Sequence, residues 1–274
     1  MTRAIPRHEQ LALRSAVSGK SKEFWITHPE RPLLAGEAAL LDRWTRARER
    51  GIPLAYLLGY REFYGRRFWV TPNTLIPRAE TELLIDTTKS LLDRLAFTRP
   101  VRLADLGTGS GCIAITLALE IQGASVTASD LSGSALEVAR NNAAWHNVAQ
   151  HVSFLQGSWL RAFEAESLKF HAIVSNPPYI ASHDPHLRQG DLPSEPIQAL
   201  TPFGGQQPST GLEAIEDIAD KATAHLAPGG FLLIEHGFDQ QPAVIDIFKQ
   251  AGLLDVQGLP DLSGNPRAVV GFHA

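Results

Sequence analysis

Apolar residues follow two different patterns along this chain, and the pattern changes near residue 100. After that point, short apolar runs alternate with stretches in which apolar residues recur every three or four positions. These patterns predict strands near 101–106, 124–129, 151–156, 170–175, 230–235, 253–257 and 267–272, and helices near 111–121, 132–145, 210–226 and 240–251. The alternation predicts an α/β fold in which a mostly parallel sheet carries helices on both faces.

Before residue 100 the pattern is helical and then briefly alternating. Residues 7–59 repeat apolar positions at helical spacing, and Gly51-Ile52-Pro53 predicts the end of the long helix. Residues 61–70 alternate around Tyr64-Gly65, which predicts a β-hairpin. We therefore expect a helical domain over residues 1–60, a hairpin and linker over 61–78, and the α/β domain over 79–274, with its first helix near 80–96.

Composition narrows the class of protein without identifying it. The chain has 274 residues, of which 44% are hydrophobic and 20% are charged, as in an ordinary globular protein. It contains no apolar run of about 18 residues and begins without an apolar signal core, so we expect a cytoplasmic protein without a membrane span. The only cysteine, Cys112, excludes an intramolecular disulfide and a cysteine-rich zinc site.

Charge is distributed unevenly along the chain. Residues 1–75 contain 13 Lys or Arg and 7 Asp or Glu, whereas residues 76–274 contain 12 and 22. This division is typical of two solvated faces. It also suits a basic module that docks an acidic protein or RNA.

Glycines follow the first predicted strand at alternate positions, in Gly107-Thr108-Gly109-Ser110-Gly111. Such a loop lets the backbone turn sharply and approach a ligand closely. It lacks the lysine of a phosphate-binding loop and the glycine spacing of a dinucleotide-binding loop. Asp130 ends the next strand, 19 residues after Gly111, where an acid can accept hydrogen bonds from both ribose hydroxyls. An acid at this position also commonly caps the following helix.

A double proline ends the fourth predicted strand in Asn176-Pro177-Pro178-Tyr179. Neither proline has an N–H group, so the strand cannot continue, and Pro177 favours an extended Asn176. The result is a stiff loop with a carboxamide, free backbone carbonyls and an aromatic ring. Such a loop can hold a planar amide or aromatic amine by its N–H groups.

Residues 181–209 form one long segment rich in Pro, Gly and Gln, and segments of this kind are often functional. His183 and His186 lie within it, but the sequence offers no third ligand nearby, so we expect no metal site. Arg78 and Glu82 are spaced for a local ion pair.

Together, the glycine loop, Asp130 and Asn176-Pro177-Pro178-Tyr179 resemble an S-adenosylmethionine-dependent N-methyltransferase. Further motifs resemble the bacterial peptide-chain release factor glutamine N5-methyltransferases, the HemK/PrmC family. These motifs are Arg61-Glu62-Phe63-Tyr64-Gly65, Leu75-Ile76-Pro77-Arg78-Ala79-Glu80-Thr81-Glu82, Asp105-Leu106-Gly107-Thr108-Gly109, Asp184-Pro185-His186-Leu187 and Phe231-Leu232-Leu233-Ile234-Glu235-His236-Gly237. The resemblance extends from about residue 8 to residue 272.

The resemblance implies a small helical N-terminal domain for substrate docking and a seven-stranded, Rossmann-like methyltransferase domain. It implies methylation of the glutamine in the Gly-Gly-Gln motif of class I release factors, with S-adenosylhomocysteine as the product. Gly107, Thr108, Gly109, Ser110 and Gly111 would line the methionine part of the cofactor, Asp130 would hold the ribose, and Trp159 would lie near the adenine. The catalytic and substrate-binding residues would be Asn176, which also adjoins the cofactor, with Pro177, Pro178, Tyr179 and Arg78.

Three features depart from the family pattern: one fewer N-terminal helix, Ser158 where the family often has an acid, and Ala79 where it has a proline. We expect Asn176 and the Pro177 carbonyl to accept the two N–H bonds of the substrate amide. We also expect a monomer that does not contact nucleic acid.

Three alternatives stay open: glutamine methylation of a large-subunit ribosomal protein, N-methylation of a nucleic-acid base, and an inactive scaffold that binds the cofactor.

Overall fold

The computed structural model describes residues 4–98, 100–163 and 169–274. The chain begins with four helices, which are α1 (Arg7–Ser18), α2 (Lys22–Thr27), α3 (Ala35–Glu49) and α4 (Leu54–Leu58). Leu13 and Trp25 are buried between them, and the Trp25 indole donates a hydrogen bond of 2.9 Å to the Ser18 hydroxyl. The predicted helical region is therefore present, and it is divided into short helices that pack on one another.

The hairpin consists of β1 (Tyr60–Phe63) and β2 (Arg66–Trp69), which pair in antiparallel register. Tyr64 and Gly65 connect them with φ angles of 52° and 70°. Positive φ at both central residues is typical of the turns whose twist matches a hairpin. Phe63 and Phe68 are buried and meet edge to face, with ring centroids 6.0 Å apart, so one face of the hairpin joins the main core.

Seven strands form the main sheet in the order β5-β4-β3-β6-β7-β9-β8. Their bounds are β3 (Val101–Leu106), β4 (Ala124–Asp130), β5 (Val152–Gln156), β6 (Phe170–Ser175), β7 (Leu226–Glu235), β8 (Leu254–Pro260) and β9 (Pro266–Phe272). Strands β3 to β7 are parallel, whereas β9 runs antiparallel between β7 and β8. This sheet confirms the predicted seven-stranded, mostly parallel architecture.

Helices cover both faces of this sheet. They are α5 (Glu82–Leu95), α6 (Cys112–Glu120), α7 (Gly133–Trp145), α8 (Glu213–His225) and α9 (Gln241–Gln250). Neighbouring residues of β3 point to opposite faces of the sheet: Leu103 packs with α5 and α6, while Ala104 packs with α8 and α9. No helix of the described residues is long and apolar enough to cross a membrane.

Strand β7 begins at Leu226, earlier than residue 230, where the sequence predicts its start. Leu226 pairs with Phe170, and pairing then resumes between Phe231 and Ala172 after an irregularity. The intervening Pro228-Gly229-Gly230 hides the first strand residues from a pattern search, because Pro and Gly usually mark a turn.

Residues 181–209 contain no long helix or strand, and four short 3-10 turns organise them: Pro185–Arg188, Leu192–Ser194, Ile197–Ala199 and Pro202–Gly205. Long-range hydrogen bonds hold this segment in place. Arg48 of α3 donates to Asp191 at 2.6 Å, and the Ser194 hydroxyl donates to the Gly51 carbonyl at 3.0 Å. The helical domain therefore holds the middle of the segment.

Removing the Arg48 guanidinium should destabilise the fold. Arg48 is 3% exposed and also makes two hydrogen bonds to Glu9, at 2.7 and 2.9 Å. An Arg48→Met variant leaves these carboxylates without their shared cation, and we expect a loss of about 3 kcal/mol in the free energy of unfolding, measured by urea denaturation. The control is Arg46→Met on the same helix, since Arg46 and Asp42 form an exposed pair, and its effect should stay below about 0.5 kcal/mol. Equal losses in the two variants would contradict this account.

Candidate active site

Three parallel strands bring the predicted site residues to one edge of the sheet. Leu106, the last residue of β3, is in register with Ser129 of β4 and Ser175 of β6. From β3, the strands β4 and β5 are added on one side of the sheet, whereas β6 and β7 are added on the other. At such a switch in strand order, the loops that follow the two neighbouring strands, here β3 and β6, leave a crevice between them. The glycine loop, Asp130 and Asn176 therefore begin side by side.

The three glycines of the loop have φ angles of 70°, 54° and 81°. A Cβ atom on Gly107 would lie 2.9 Å from the Trp159 ring, and one on Gly111 would lie 2.9 Å from Ile115. A Cβ atom on Gly109 would meet nothing within 4 Å. Gly107 and Gly111 therefore allow close packing, whereas Gly109 faces open space where a ligand can approach the backbone.

Thr108 and Ser110 are both buried. The Thr108 hydroxyl donates to Asp105 at 2.6 Å, and the Ser110 carbonyl accepts from Asn142 at 2.8 Å. These contacts hold the loop from behind, so the loop offers its backbone to the crevice at these positions.

Asp105 is a charged residue of this site to which the sequence argument gave no role. It is fully buried at the end of β3, where one carboxylate oxygen accepts from Thr108 and from the Ala114 N–H group, at 2.6 and 3.1 Å. The other oxygen is buried without a partner. Burial raises the pKa of Asp105 to about 7, against the lowering effect of its hydrogen bonds. The sequence signal that could have identified Asp105 is its position directly before the glycine loop, in Asp105-Leu106-Gly107-Thr108-Gly109.

Asp130 lies beside the glycine loop, as predicted, and is partly exposed. Its two carboxylate oxygens accept from the Gly109 N–H group at 2.8 Å and the Ser132 N–H group at 2.9 Å. Burial raises the pKa of Asp130, and these backbone hydrogen bonds lower it. Ser132, not Asp130, caps α7, because its hydroxyl accepts from Ala135.

Trp159 reaches the same crevice from the loop after β5. It begins a 3-10 turn, Trp159–Phe163, and has a φ angle of 47°. Its carbonyl accepts a hydrogen bond of 3.2 Å from the Ser129 hydroxyl, and its ring covers Gly107. The structure therefore brings Trp159, the glycine loop and Asp130 together.

Asn176 is half-buried at the end of β6, whose six residues are all buried. Its side-chain nitrogen donates a hydrogen bond of 3.0 Å to the Thr81 hydroxyl oxygen. Thr81 is 2% exposed and sits at the N-cap of α5, where its side chain makes no capping bond. This contact uses one of the two N–H bonds of the amide, and the Asn176 carbonyl oxygen remains as an acceptor for another molecule.

Tyr179 is anchored by Glu235, the last residue of β7, and by Gln240, which precedes α9. Its hydroxyl donates to Glu235 at 3.2 Å, and its carbonyl accepts from Gln240 at 3.0 Å. Glu235 is 1% exposed, and its second carboxylate oxygen has no hydrogen-bond partner. Burial raises the pKa of Glu235 to about 7.

A cavity of about 510 Å³ opens beside Asn176. Its wall includes Asn176, Pro177, Tyr179, Arg78, Glu195 and Glu235. The expected Arg78–Glu82 pair does not form, because α5 begins only at Glu82 and Arg78 precedes the helix. Arg78 pairs instead with the buried Glu195 at 2.5 Å, and Glu195 also accepts from the Ile76 N–H group at 2.9 Å.

Metal ligands are not clustered in the part of the chain that the structure describes. No group of three or more His, Cys, Asp or Glu side chains there is arranged to hold a metal ion. His186 instead contacts Asp184, with 2.7 Å between Nδ1 and Oδ1.

Comparison with known proteins shows similarity in both parts of the chain. A family model described as "Methyltransferase small domain" matches residues 82–190, and one described as "PrmC N-terminal domain" matches residues 2–59. A relative from Neisseria gonorrhoeae named "Release factor glutamine methyltransferase" is 49% identical over 232 residues, which is 85% of this chain and 81% of the relative. One of the same name from Xylella fastidiosa is 43% identical over 270 residues, or 98% of this chain and 94% of the relative.

Solved structures show a similar fold at low sequence identity. A methyltransferase from Pyrococcus furiosus has a TM-score of 0.52 and 19% identity, and the match covers 77% of this chain and 90% of that chain. The 16S rRNA methyltransferase of T. thermophilus, solved with AdoMet and guanosine, has a TM-score of 0.54 and 18% identity, covering 78% of this chain and 50% of that chain. These two structures support the fold assignment alone.

The buried Asp105 carboxylate should make stability depend on pH. Because its pKa is raised to about 7, the folded protein retains this proton after the unfolded chain releases it near pH 4. The contribution of Asp105 to stability is therefore complete at low pH and is lost as pH rises to about 7. In thermal and urea unfolding, Asp105→Asn should be more stable than the wild type at pH 8 by about 1–3 kcal/mol, with little difference at pH 4.

The matched control for this measurement is Asp93→Asn, because Asp93 is exposed on α5. Its difference from the wild type should stay small at both pH values. An Asp105→Asn variant that is less stable at pH 8 than at pH 4, relative to the wild type, would show that the carboxylate is stabilising and overturn the argument.

Proposed function

This chain belongs to the family of release factor glutamine methyltransferases, and from that premise we propose that it methylates the side-chain amide nitrogen of a release-factor glutamine. The target is the glutamine of the Gly-Gly-Gln motif in class I release factors, and the methyl donor is S-adenosylmethionine. One observation carries the proposal: the Asn176 side chain donates one N–H to Thr81 and lines the cavity, so its oxygen remains for a substrate N–H group.

The crevice suits the proposed cofactor. Backbone faces open space at Gly109, the Trp159 ring lies beside Gly107, and the Asp130 carboxylate adjoins the loop. Asp105 and Asp130 place two carboxyl groups near a ligand with cationic groups, and one oxygen of Asp105 has no partner. We assign the methionine part to residues 107–111, the ribose to Asp130 and the adenine to Trp159. When bound, S-adenosylmethionine supplies an electrophilic methyl group on its sulfonium.

Residues of the Asn176-Pro177-Pro178-Tyr179 loop would orient the substrate. An amide nitrogen is a poor nucleophile, because its lone pair is delocalised into the carbonyl. The Asn176 oxygen and the Pro177 carbonyl each accept one N–H bond, while the Tyr179 ring packs against the amide plane. Positioning and electrostatic complementarity would then supply most of the rate enhancement, and water can take the departing proton.

The remaining surfaces favour a protein substrate. The wall that contains Arg78 and Glu195 continues into the segment that Arg48 holds, so the helical domain and the cavity are connected. Residues 76–274 carry an excess of acidic side chains, which disfavours a nucleic-acid backbone at this cleft. We therefore assign residues 1–60 to docking of the release factor. We further propose that the enzyme is cytoplasmic and monomeric.

Substitution of Asn176 tests this function directly. Asn176→Ala removes the acceptor from the substrate amide, so kcat for methyl transfer to a release factor should fall about 100-fold or more. Binding of S-adenosylmethionine, measured by calorimetry, should change little, because the glycine loop and Asp130 are untouched. The matched control is Asn141→Ala on the exposed face of α7, which should retain wild-type kcat.

Identity of the substrate is tested with labelled S-adenosylmethionine and three candidates: a class I release factor, the large-subunit ribosomal proteins and RNA. Mass spectrometry should place the label on the Gly-Gly-Gln glutamine, and a release factor with alanine at that position should receive none. Label on another protein or on a base would overturn the proposed substrate. Near wild-type turnover by Asn176→Ala would overturn the proposed role of the amide.

A further inference from the structure

Asn142 is a polar residue in α7 to which the proposed function gives no role. It is 0% exposed, and α7 continues on both sides of it. A carboxamide in the middle of a helix adds little to the helix itself, and its burial is costly unless it finds hydrogen-bond partners. The partners of this side chain therefore indicate what it does.

Two of its hydrogen bonds go to the hairpin. The Asn142 oxygen accepts from the Trp69 N–H group at 2.8 Å, and the Asn142 nitrogen donates to the Trp69 carbonyl at 3.0 Å. Trp69 is the last residue of β2. Neighbouring residues of two antiparallel strands exchange the same pair of hydrogen bonds. Asn142 therefore takes the place of a third strand beside the hairpin.

A third hydrogen bond goes to the glycine loop. The Asn142 nitrogen also donates to the Ser110 carbonyl at 2.8 Å, so the oxygen and both N–H bonds of the carboxamide can all be used within the protein. The same face of α7 packs on the next residue of the loop, since a Cβ atom on Gly111 would lie 3.1 Å from the Cβ atom of Ala139. One side chain therefore joins the hairpin to the glycine loop.

Ser110 is a position at which the loop needs such a contact. It lies between Gly109 and Gly111, whose φ angles are 54° and 81°. Glycine offers little steric resistance to rotation of the neighbouring peptide groups. The Ser110 hydroxyl is buried without a hydrogen-bond partner, so it does not hold the loop. The bond from Asn142 holds the Ser110 carbonyl inside the protein, directly after the residue whose backbone faces open space.

We propose that Asn142 is a positioning residue that holds the glycine loop in its cofactor-binding form and couples it to the hairpin. Asn142 acts through the Ser110 carbonyl and does not touch the cofactor. The hairpin in turn adjoins the helical domain, because the Val70 N–H group donates to the carbonyl of Gly59, directly after α4, at 3.0 Å. The inference rests on the proposed function for the identity of the ligand, and it adds that cofactor binding and the hairpin depend on each other.

Coupling of this kind is reciprocal, so a ligand that fixes the glycine loop should also stabilise the contact to the hairpin. The chain has five tryptophans, and labelling them with ¹⁵N gives a simple spectrum of backbone amides. Trp69 and Trp25 are identified by the loss of their signals in Trp69→Phe and Trp25→Phe. Saturation with S-adenosylhomocysteine should slow exchange of the Trp69 N–H hydrogen with water about threefold or more, relative to the change at Trp25.

Trp25 is the internal control for this measurement, because it is buried in the helical domain and its N–H group bonds to the Ser21 carbonyl within that domain. Any ligand that binds only the folded protein slows exchange throughout the chain when exchange requires global unfolding. Equal slowing at Trp69 and Trp25, or no slowing at Trp69, would overturn the proposal.

Asn142→Asp provides the second test. The aspartate keeps an acceptor for the Trp69 N–H group, but an ionised carboxylate has no hydrogen to donate to the Ser110 carbonyl. The Kd for S-adenosylhomocysteine, measured by calorimetry, should rise about tenfold or more. At saturating S-adenosylmethionine, kcat should stay within about threefold of the wild type, because Asn142 is not in contact with the reacting groups.

The matched control is Asn141→Asp, which makes the same change in charge at the neighbouring, exposed position of α7. Its Kd should stay within about twofold of the wild type. Thermal unfolding of both variants confirms that folded proteins are compared. Equal Kd values for the two variants, or a loss in Asn142→Asp that is confined to kcat, would contradict the proposed role. The exchange measurement uses wild-type Asn142 and remains decisive if Asn142→Asp does not fold.

Neither binding measurement uses a release factor, so this inference can fail separately from the proposed substrate. If Trp69 responds to S-adenosylhomocysteine and the release factor is not methylated, the coupling is supported and only the substrate is wrong. If the release factor is methylated while Trp69 and Trp25 respond equally, the coupling is wrong and the proposed function stands.

Discussion

The position of β3 between β4 and β6 is the constraint on which the rest of this structure depends. Hydrogen bonds fix the ends of these three parallel strands at one level: the Ser129 carbonyl accepts from both Gly107 and Thr108 at 2.9 Å, and the Ser175 hydroxyl donates to the Leu106 carbonyl at 2.7 Å. A shift of one residue in either pairing would turn these side chains to the opposite face of the sheet. The glycine loop and Asn176 would then no longer share an edge.

Two buried carboxyl groups lie behind this edge, Asp105 under the glycine loop and Glu235 under Tyr179. Each has one oxygen without a partner, and burial raises the pKa of each to about 7. Burying an acid in this way disfavours folding at neutral pH. Hydrophobic residues at these positions would avoid that cost, but they would offer no acceptor to Thr108, Ala114 or Tyr179. The two acids therefore organise the loops that form the site at the expense of stability.

The cavity wall shows how an irregular segment can be held in one conformation. Residues 181–209 have little regular backbone pairing, and side chains from outside the segment supply the missing constraints. Arg48 reaches Asp191 from the helical domain, while Arg78 and the Ile76 N–H group reach Glu195 from the linker. Both cationic contacts are mostly buried, and they join three parts of the chain at the wall of the cavity. The helical domain is therefore part of the architecture of the site.

The sequence by itself determined the features that depend on neighbouring residues. Tyr64-Gly65 specified the hairpin turn, the alternating glycines specified a sharply turning loop, and the double proline specified where β6 ends, because each acts on its own backbone. Only the tertiary structure decided the partners. Thr81 meets Asn176 across 95 residues, Tyr179 meets Glu235 across 56, and Arg78 meets Glu195 across 117 instead of the nearby Glu82. The tertiary fold brings these distant residues together, and no local pattern encodes which distant side chain will satisfy a buried polar group.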